Sequence, residues 1–333
     1  MWKPLISVLI PVYGVEKYIE QCLESLFENT IAEKCEFIIV NDHTKDNSMQ
    51  IVYRLKDKYS NIKIIIIEHE INSGLAATRN TGLSIASGKY FICTDSDDWV
   101  EKNYLEKLFL EAEETNADIT ACNWFEEKSE TRIFNSNIDK NSEINFEKFM
   151  KCEIPAYVWN KLVLTKLVRE HNLQWENGIN NWEDEIISTK TFSFAKKFSC
   201  INIPLYHYRV RNDSYIRCLI TEKTKDDFIN AVAAMEEFLQ KNKKEYVSYI
   251  NFKKLHAKQK ILLDGTRKMQ KKYLKLWKES YPYIKQDKTL STRVRIILTT
   301  AIKLPAISLF LLFMLSTLKI IVRKQFTWKE YFS

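Results

Sequence analysis

The chain has 333 residues, 45% of them hydrophobic, and a formal charge of +7 at neutral pH, enough to bury a full core and a second, smaller unit. Its seven cysteines (Cys22, Cys35, Cys93, Cys122, Cys152, Cys200 and Cys218) are scattered, odd in number and without a CxxC pair. That argues against a disulfide framework or a thiolate zinc site, and fits a reducing compartment.

Leu5 to Ile10 is a short apolar run ended by Pro11, with no small-residue cleavage site behind it, so no signal peptide is expected. Over the first hundred residues, strand-like runs at Ile6–Ile10, Phe37–Val40, Ile62–Ile67 and Tyr90–Cys93 alternate with helix-period segments at Glu16–Glu28, Ser48–Tyr59 and Gly74–Ser87. Short Gly, Asn and Asp connections join them. This is the pattern of an α/β protein whose mostly parallel, Rossmann-like sheet carries helices on both faces. Ligands of such sheets bind beyond the carboxyl ends of the strands.

Residues 100–220 are less regular, with a helix at Tyr104–Thr115, a strand at Ile119–Phe125 and a helix from Asn180 onward whose first turn is acidic. From 221 the pattern turns helical and rich in lysine. Residues 1–220 hold 26 Lys/Arg against 33 Asp/Glu, whereas 221–333 hold 24 against 10. Three regions are therefore expected: a catalytic-type domain over 1–220, a basic helical extension over 221–290, and a basic, apolar tail over 291–333. In the tail, Leu304–Leu318 contains no charge, and Arg293, Arg295, Lys303, Lys319, Arg323 and Lys324 flank it. A membrane-embedded or interfacial anchor on an anionic surface fits this, against a buried core helix as the alternative. Nucleic acid is not the expected partner, because the cations lack interleaved aromatic residues for base stacking.

The fourth strand runs straight into Asp95, Asp97 and Asp98. Carboxylates this close repel one another unless a cation sits among them. Asp-x-Asp at a strand end suits Mg²⁺ or Mn²⁺, which takes one or two carboxylates and fills its other positions with water and phosphate oxygens. An EF-hand fails because Val100 occupies the place that needs glycine. Asp98 alone could cap a helix, but three acids exceed what a cap requires. No P-loop and no GxGxxG follows the first strand. Asp42 instead ends the second strand, where it can accept from a nucleobase or ribose, and Arg79 is read at the start of a helix, able to pair with a diphosphate. Four successive strand ends thus outline a nucleotide-diphosphate site.

The stretches "SVLIPVYGVEKYIEQCLESL", "FIIVNDHTKDNS" and "NSGLAATRNTGLSIASGKYFICTDSDDW" resemble the GT-A domain of family 2 glycosyltransferases, near continuously over residues 5–105. The resemblance implies that Pro11, Val12 and Tyr13 line the nucleoside pocket and that Asp42 reads the base, commonly uracil. It also implies that Arg79 contacts the diphosphate, Asp95 the ribose and Asp97 the metal, with Asp95 beside it. The sequence departs from the common Asp-Asp-Gly-Ser after the second strand, reading Asn41-Asp42-His43-Thr44, with His43 where a glycine would make the turn.

Inversion at an anomeric carbon needs a base to take the acceptor's proton. Trp182-Glu183-Asp184 resembles the family's later Glu-Asp motif, which makes Asp184 the expected base and Glu183 the fallback. The bland reading is a helix start with Asn181 as cap and acids facing the dipole. Trp182 could stack on an acceptor sugar or pack in the core. Tyr206–Ser214 resembles a segment that returns to the active site, where His207 could reach metal or diphosphate and Arg209 or Arg211 the phosphates; against this, a lone histidine in an aromatic strand is more often a packed core residue. The resulting expectation is an inverting, Mg²⁺- or Mn²⁺-dependent glycosyltransferase of hexosyl or N-acetylhexosaminyl type. It would move sugar from a nucleotide donor, commonly UDP-linked, to a glycan or lipid-linked acceptor. Its setting would be bacterial surface-polysaccharide synthesis at the cytoplasmic face of the plasma membrane. The rival is a non-catalytic nucleotide or glycan scaffold, against which intact Asp97 and Asp184 argue.

Overall fold

The computed structural model describes residues 3–128, 131–135, 146–210, 219–321 and 328–332. The chain divides into two compact units, Met1–Asn145 with Ala156–Val210, and Phe146–Pro155 with Arg211–Ser333.

The first unit begins with three strand–helix repeats: β1 (Ile6–Val12), α1 (Ile19–Phe27), β2 (Cys35–Asn41), α2 (Ser48–Lys58), β3 (Lys63–Glu68), α3 (Leu75–Ile85) and β4 (Tyr90–Cys93). There follow β5 (Trp99–Val100), α4 (Tyr104–Thr115), β6 (Ile119–Lys128), β7 (Thr131–Asn135), β8 (Lys161–Leu164), α6 (Thr165–Glu170), α7 (Glu183–Phe194) and β9 (Phe198–Arg209); α5 (Phe146–Met150) belongs to the second unit. The strands form one sheet in the order β3-β2-β1-β4-β8-β6-β9-β5, with β7 paired to β6.

Pairing is parallel among β3, β2, β1 and β4, where each crossover contains a helix. Beyond β4 it becomes antiparallel at β4–β8, β8–β6, β6–β7 and β5–β9, with β6–β9 parallel. The expected mostly parallel sheet is therefore a mixed one. The four-residue β8, which slots between β4 and β6, is too short to leave a periodic signal.

β1, β2 and β4 are buried along their whole length, so both of their faces are covered, as their largely apolar sequences require. Ile6, Val8, Ile10 and Val12 of β1 share a core with Ile19, Cys22, Leu23 and Leu26 of α1 and Leu105 and Leu108 of α4. Alternate residues point the other way, and Leu9, Ile38 and Val40 approach α3 at Gly82. At the opposite edge from the strand ends of interest, the buried Glu36 carboxylate accepts from Ser7 Oγ (2.7 Å), Ser87 N (2.6 Å) and Lys63 Nζ (2.8 Å). Burial raises its pKa, but these donors outweigh that and hold it below the usual carboxylate range. Gly88 beside it is required, since a Cβ there would lie 2.6 Å from Ser7 N.

The second unit adds α8 (Glu222–Asn242), α9 (Ile250–Asp264), α10 (Arg267–Tyr273), α11 (Thr292–Lys303), α12 (Pro305–Ile321) and α13 (Trp328–Phe332). Leu255 and Leu262 of α9, Val294, Ile297 and Leu298 of α11, and Leu312 of α12 belong to one apolar core. The apolar tail is thus no single spanning segment. Pro305 cannot continue α11, so it opens a new helix, and Ser308 Oγ bonds back to Ile297 O at 3.0 Å. Among the described residues no helix is long and apolar enough to cross a membrane. Arg323 and Lys324 lie outside the described residues.

Candidate active site

The site is built where β2, β1 and β4 end side by side. Asp42 N donates to Val12 O (3.0 Å) and Thr94 N to Leu9 O (2.9 Å), which sets the three loops in register. The loops after β1 and β2 are stitched together: Gly14 N donates to Thr44 Oγ1 (2.9 Å), Glu16 N to Asp46 Oδ2 (2.9 Å) and Val15 N to Ser48 Oγ (3.2 Å). His43 keeps the tight turn by adopting φ 58°, a left-handed conformation that a glycine would take without the roughly 1–2 kcal/mol steric cost. Pro11 and Val12 are buried under this junction, and Tyr13 stands 55% exposed at its rim.

Asp42, expected to face a base, also has an internal function. Its Oδ1 accepts from Ser73 N (2.8 Å) and lies 2.9 Å from His69 Nδ1, and its Oδ2 accepts from Gly74 N (2.8 Å). The carboxylate therefore shapes the loop that opens α3. Gly74 is needed there: its φ is 86°, and a Cβ would sit 2.6 Å from Asn180 Oδ1.

Arg79 departs most from expectation. It lies on the buried face of α3, 2% exposed, not open to a diphosphate. Nη1 donates to Glu183 Oε1 (2.9 Å) and Asp184 Oδ1 (2.7 Å), and Nη2 to Asp95 Oδ1 (2.9 Å). One guanidinium thus joins the first Asp of Asp-x-Asp to the Glu-Asp pair of α7. Burial lowers the pKa of Arg79, but Asp184, Asp95 and Glu183 raise it further, so it stays charged. One cation cannot neutralise three carboxylates. Burial, then Asp184, pushes Glu183 up; burial, with Asp95, pushes Asp184 up, opposed by Arg79. Asp184 also accepts from the Val158 amide. Its side chain is 20% exposed against 10% for Glu183, which makes it the more reachable acid.

The remaining aspartates separate by environment. Asp98 is 1% exposed and caps no helix; Oδ2 accepts from Tyr206 Oη (2.8 Å) and Oδ1 from Arg209 N (2.7 Å). Burial, then Asp97 and Asp95, raises its pKa well above the usual range. Asp97 is half-buried, and Asp95 keeps one oxygen beyond its bond to Arg79. Among the described residues no three acids or histidines gather as a ready-made cation cage. Two carboxylates at one strand end, Asp95 and Asp97, are instead the donor set of a hard divalent ion completed by phosphate oxygens, and the residues fit that chemistry.

His207, weighed as a group reaching metal or diphosphate against a packed core residue, belongs to the core. It stacks between Trp99 (4.9 Å) and Phe125 (5.1 Å), with Nδ1 2.8 Å from Glu127 and Nε2 3.0 Å from Glu101. Arg209 is the cation next to Asp-x-Asp: its Nε donates to Asp97 O (2.8 Å), Nη2 to Gln21 Oε1 (2.6 Å), and its guanidinium covers Trp99 at 4.4 Å. These partners leave its charge uncompensated by any direct carboxylate contact among those of the described residues. Arg211 lies outside the described residues. At the start of α7 the N-cap is Trp182, left-handed at φ 68°, not Asn181.

Sequence reasoning missed Lys161, buried in β8, whose Nζ donates to Tyr157 O (2.5 Å) and Asn160 Oδ1 (2.9 Å). Burial, opposed by the charge of Asp184, brings its pKa down to about 7. A single charge inside "VWNKLVL" was the available signal.

A half-parallel sheet with acids behind its fourth strand, bound through one arginine to a second acidic pair, defines a GT-A-type glycosyltransferase. The chain belongs to glycosyltransferase family 2: the family model described as Glycosyl transferase family 2 matches residues 7–162. EpsH of Bacillus subtilis (strain 168), whose name assigns it to the glycosyltransferases, is 32% identical over 73% of this chain and 72% of its own. The poly(ribitol-phosphate) beta-glucosyltransferase of Bacillus spizizenii is 31% identical over 62% of this chain and 32% of its own length. Among solved structures, S. aureus TarS shares the fold at 17% identity with a TM-score of 0.65, over 91% of this chain and 54% of that one. TarS 1–349 in complex with UDP-GlcNAc matches with a TM-score of 0.61 at 16% identity, over 94% of this chain and 90% of that one.

Proposed function

We propose that this glycosyltransferase transfers a sugar from a UDP-linked donor, with inversion, to a hydroxyl of a surface-polymer acceptor carried on lipid or glycan. The observation that carries the reading is the Arg79 bridge, which couples the acids expected at the donor to those expected at the acceptor.

Asp42 Oδ2 holds Gly74 N and, with its second lone pair, accepts the imide N–H of uracil, while Tyr13 covers the ring. Arg209 takes the diphosphate, since its present partners are a carbonyl and an amide oxygen. Asp97 and the second oxygen of Asp95 would hold Mg²⁺ or Mn²⁺, which when bound neutralises charge on the leaving nucleoside diphosphate. Asp184 is the base. Arg79 and the Val158 amide fix its carboxylate, and its raised pKa brings its basicity toward working pH, where proton abstraction from a hydroxyl is most effective. Glu183, less exposed, shares the charge of Arg79 and positions the pair. The UDP-GlcNAc complex of TarS and the polyol-phosphate acceptor in the name of the Bacillus spizizenii relative support the donor and acceptor classes.

The acceptor would be carried at a membrane surface, and the second unit, taken by itself, has a face suited to one. Ile307, Phe310, Met314, Leu318 and Ile321 recur at helical spacing along α12 and are 46–61% exposed, while Ser308, Leu312, Ser316 and Ile320 face the core. Exposed Arg293 and Lys303 on α11 supply the charge that an anionic leaflet attracts.

The test is product mass after incubating purified chain with Mn²⁺, a panel of UDP- and GDP-sugars and a membrane extract. UDP-sugar turnover that disappears in Asp97→Asn and Asp184→Asn supports the reading; unchanged turnover in both would sink it.

A further inference from the structure

The chain between α6 and α7, residues 171–182, belongs to no helix or strand, yet it delivers Glu183 and Asp184 to Arg79. One side chain pins it. Asn80, the residue after Arg79 on α3, pairs with both backbone groups of Trp175: Nδ2 donates to Trp175 O (2.9 Å) and Oδ1 accepts from Trp175 N (2.9 Å). An amide side chain carries a donor and an acceptor as a peptide does, so Asn80 supplies one rung of a strand ladder where no strand runs. Nδ2 also donates to Asn177 Oδ1 (3.1 Å). Trp175 is 3% exposed, with its ring 6.0 Å from the Arg79 guanidinium. Its indole Nε1 is buried with no hydrogen-bond partner among the described residues. An unpaired buried N–H opposes that position, so apolar burial and the backbone pairing to Asn80 are what hold Trp175 there.

We propose that Asn80 is a positioning residue for glycosyl transfer: it clamps the segment before α7 so that Asp184 meets Arg79. The inference rests on Asp184 being the base. Asn80 and Arg79 are consecutive on α3, so the clamp and the cation that receives the acids share one rigid element. Between Trp175 and Glu183 the chain is irregular and includes two left-handed residues, Gly178 at φ 84° and Trp182 at φ 68°. Two further contacts flank the clamp: Lys190 Nζ of α7 donates to Gln174 O (3.1 Å), and Asn180 lies against Gly74 at the start of α3. Neither ties the segment's backbone to α3 as Asn80 does. Without that pairing the Asp184 carboxylate is free to shift by the ångström or so that costs a positioned base most of its effect. The side-chain partners of Asn80 are Trp175 and Asn177, so its influence reaches the reacting groups through the segment.

The experiment is steady-state kinetics per folded molecule on the full chain carrying Asn80→Ala or Asn80→Asp, each alone and combined with Asp184→Asn. The substrates are membrane extract and the UDP-sugar that gives product in the panel above. Asn80→Asp keeps the acceptor for Trp175 N and loses the donor to Trp175 O. Asn80→Ala is expected to lower kcat about tenfold to a hundredfold while donor KM changes less than about threefold, with Asn80→Asp in between. On the Asp184→Asn background the same substitution should cost less than about threefold more, because the group it positions is already gone. Wild-type kcat in Asn80→Ala, or its full loss repeated on the Asp184→Asn background, overturns the inference and leaves the transferase reading standing. No product from the wild-type chain with any UDP-sugar overturns both. If Asn80→Ala does not fold, Asn80→Asp decides through the same cycle.

Discussion

Arg79 Nη1 donates to Asp184 Oδ1 at 2.7 Å, joining α3 to the first turn of α7 across 105 residues of sequence. Because the same guanidinium holds Asp95 and Glu183, its removal leaves three clustered carboxylates without a counter-charge. Arg79→Met is expected to cost about 3–5 kcal/mol of stability, the range for breaking a buried ion pair. Arg79→Lys keeps the charge but not the fork, and should retain most stability while losing much of kcat. Thermal melts and UDP release on the two variants check this.

The pH dependence follows from the same contact. Asp184 and Glu183 titrate above the ordinary carboxylate range, and the base must be ionised, so activity should rise with pH along a limb displaced toward neutrality. Arg79 opposes that displacement. Arg79→Lys, with its single point charge, should shift the limb further up, and a limb that moves down contradicts the assignment.

Asp184→Asn removes the base and should lower kcat by about a hundredfold to ten-thousandfold with little change in donor KM. Glu183→Gln should lower it less, since Glu183 reaches the reacting groups only through Arg79. A larger effect at Glu183 would exchange the two roles.

Glu36 has the opposite sign of shift from the active-site pair. Its folded-state pKa lies below the unfolded value, so its contribution is present above the unfolded pKa and is lost as pH falls through the folded one. Glu36→Gln should cost about 1–3 kcal/mol at pH 7, as expected for upsetting a buried hydrogen-bonded group, and the deficit should shrink in strong acid. Melting temperatures at pH 7 and pH 3 measure it. Activity per folded molecule should not change.

The exposed stripe of α12 predicts vesicle binding. Phe310→Glu or Met314→Glu should weaken co-sedimentation with anionic vesicles by roughly tenfold to a hundredfold, given the 1.5–3 kcal/mol gained by burying a large apolar side chain. Turnover of a water-soluble acceptor should be preserved. Equal binding to neutral vesicles would remove the electrostatic part of the reading.

Much of the fold was legible residue by residue. The β4 strand at Tyr90–Cys93 and the α4 helix at Tyr104–Thr115 coincide with the periodic segments, and the other early elements shift by three residues or fewer at either end. The antiparallel half was not legible, because β8 is four residues long and pairs with β4 and β6 from far along the chain. In the site, Asp95, Asp184 and Arg79 were each visible as polar residues at strand or helix ends. Their mutual bonding was not, since Arg79 in an amphipathic helix reads as surface until its neighbours are known. His207 followed the ordinary expectation for a histidine in an aromatic strand, a packed core residue, and its stacking on Trp99 forms once β5 and β9 pair.

Local pattern and motif determined the three strand–helix repeats, the acids at the end of the fourth strand and the basic C-terminal half, because periodicity and turn chemistry act between near neighbours. Tertiary structure decided which charges meet. It buried Arg79 among three carboxylates, moved Asp98 to a supporting bond with Tyr206, and folded the apolar tail into two helices at Pro305. Charge partners and burial depend on segments a hundred residues apart, and that distance is invisible until the chain closes on itself.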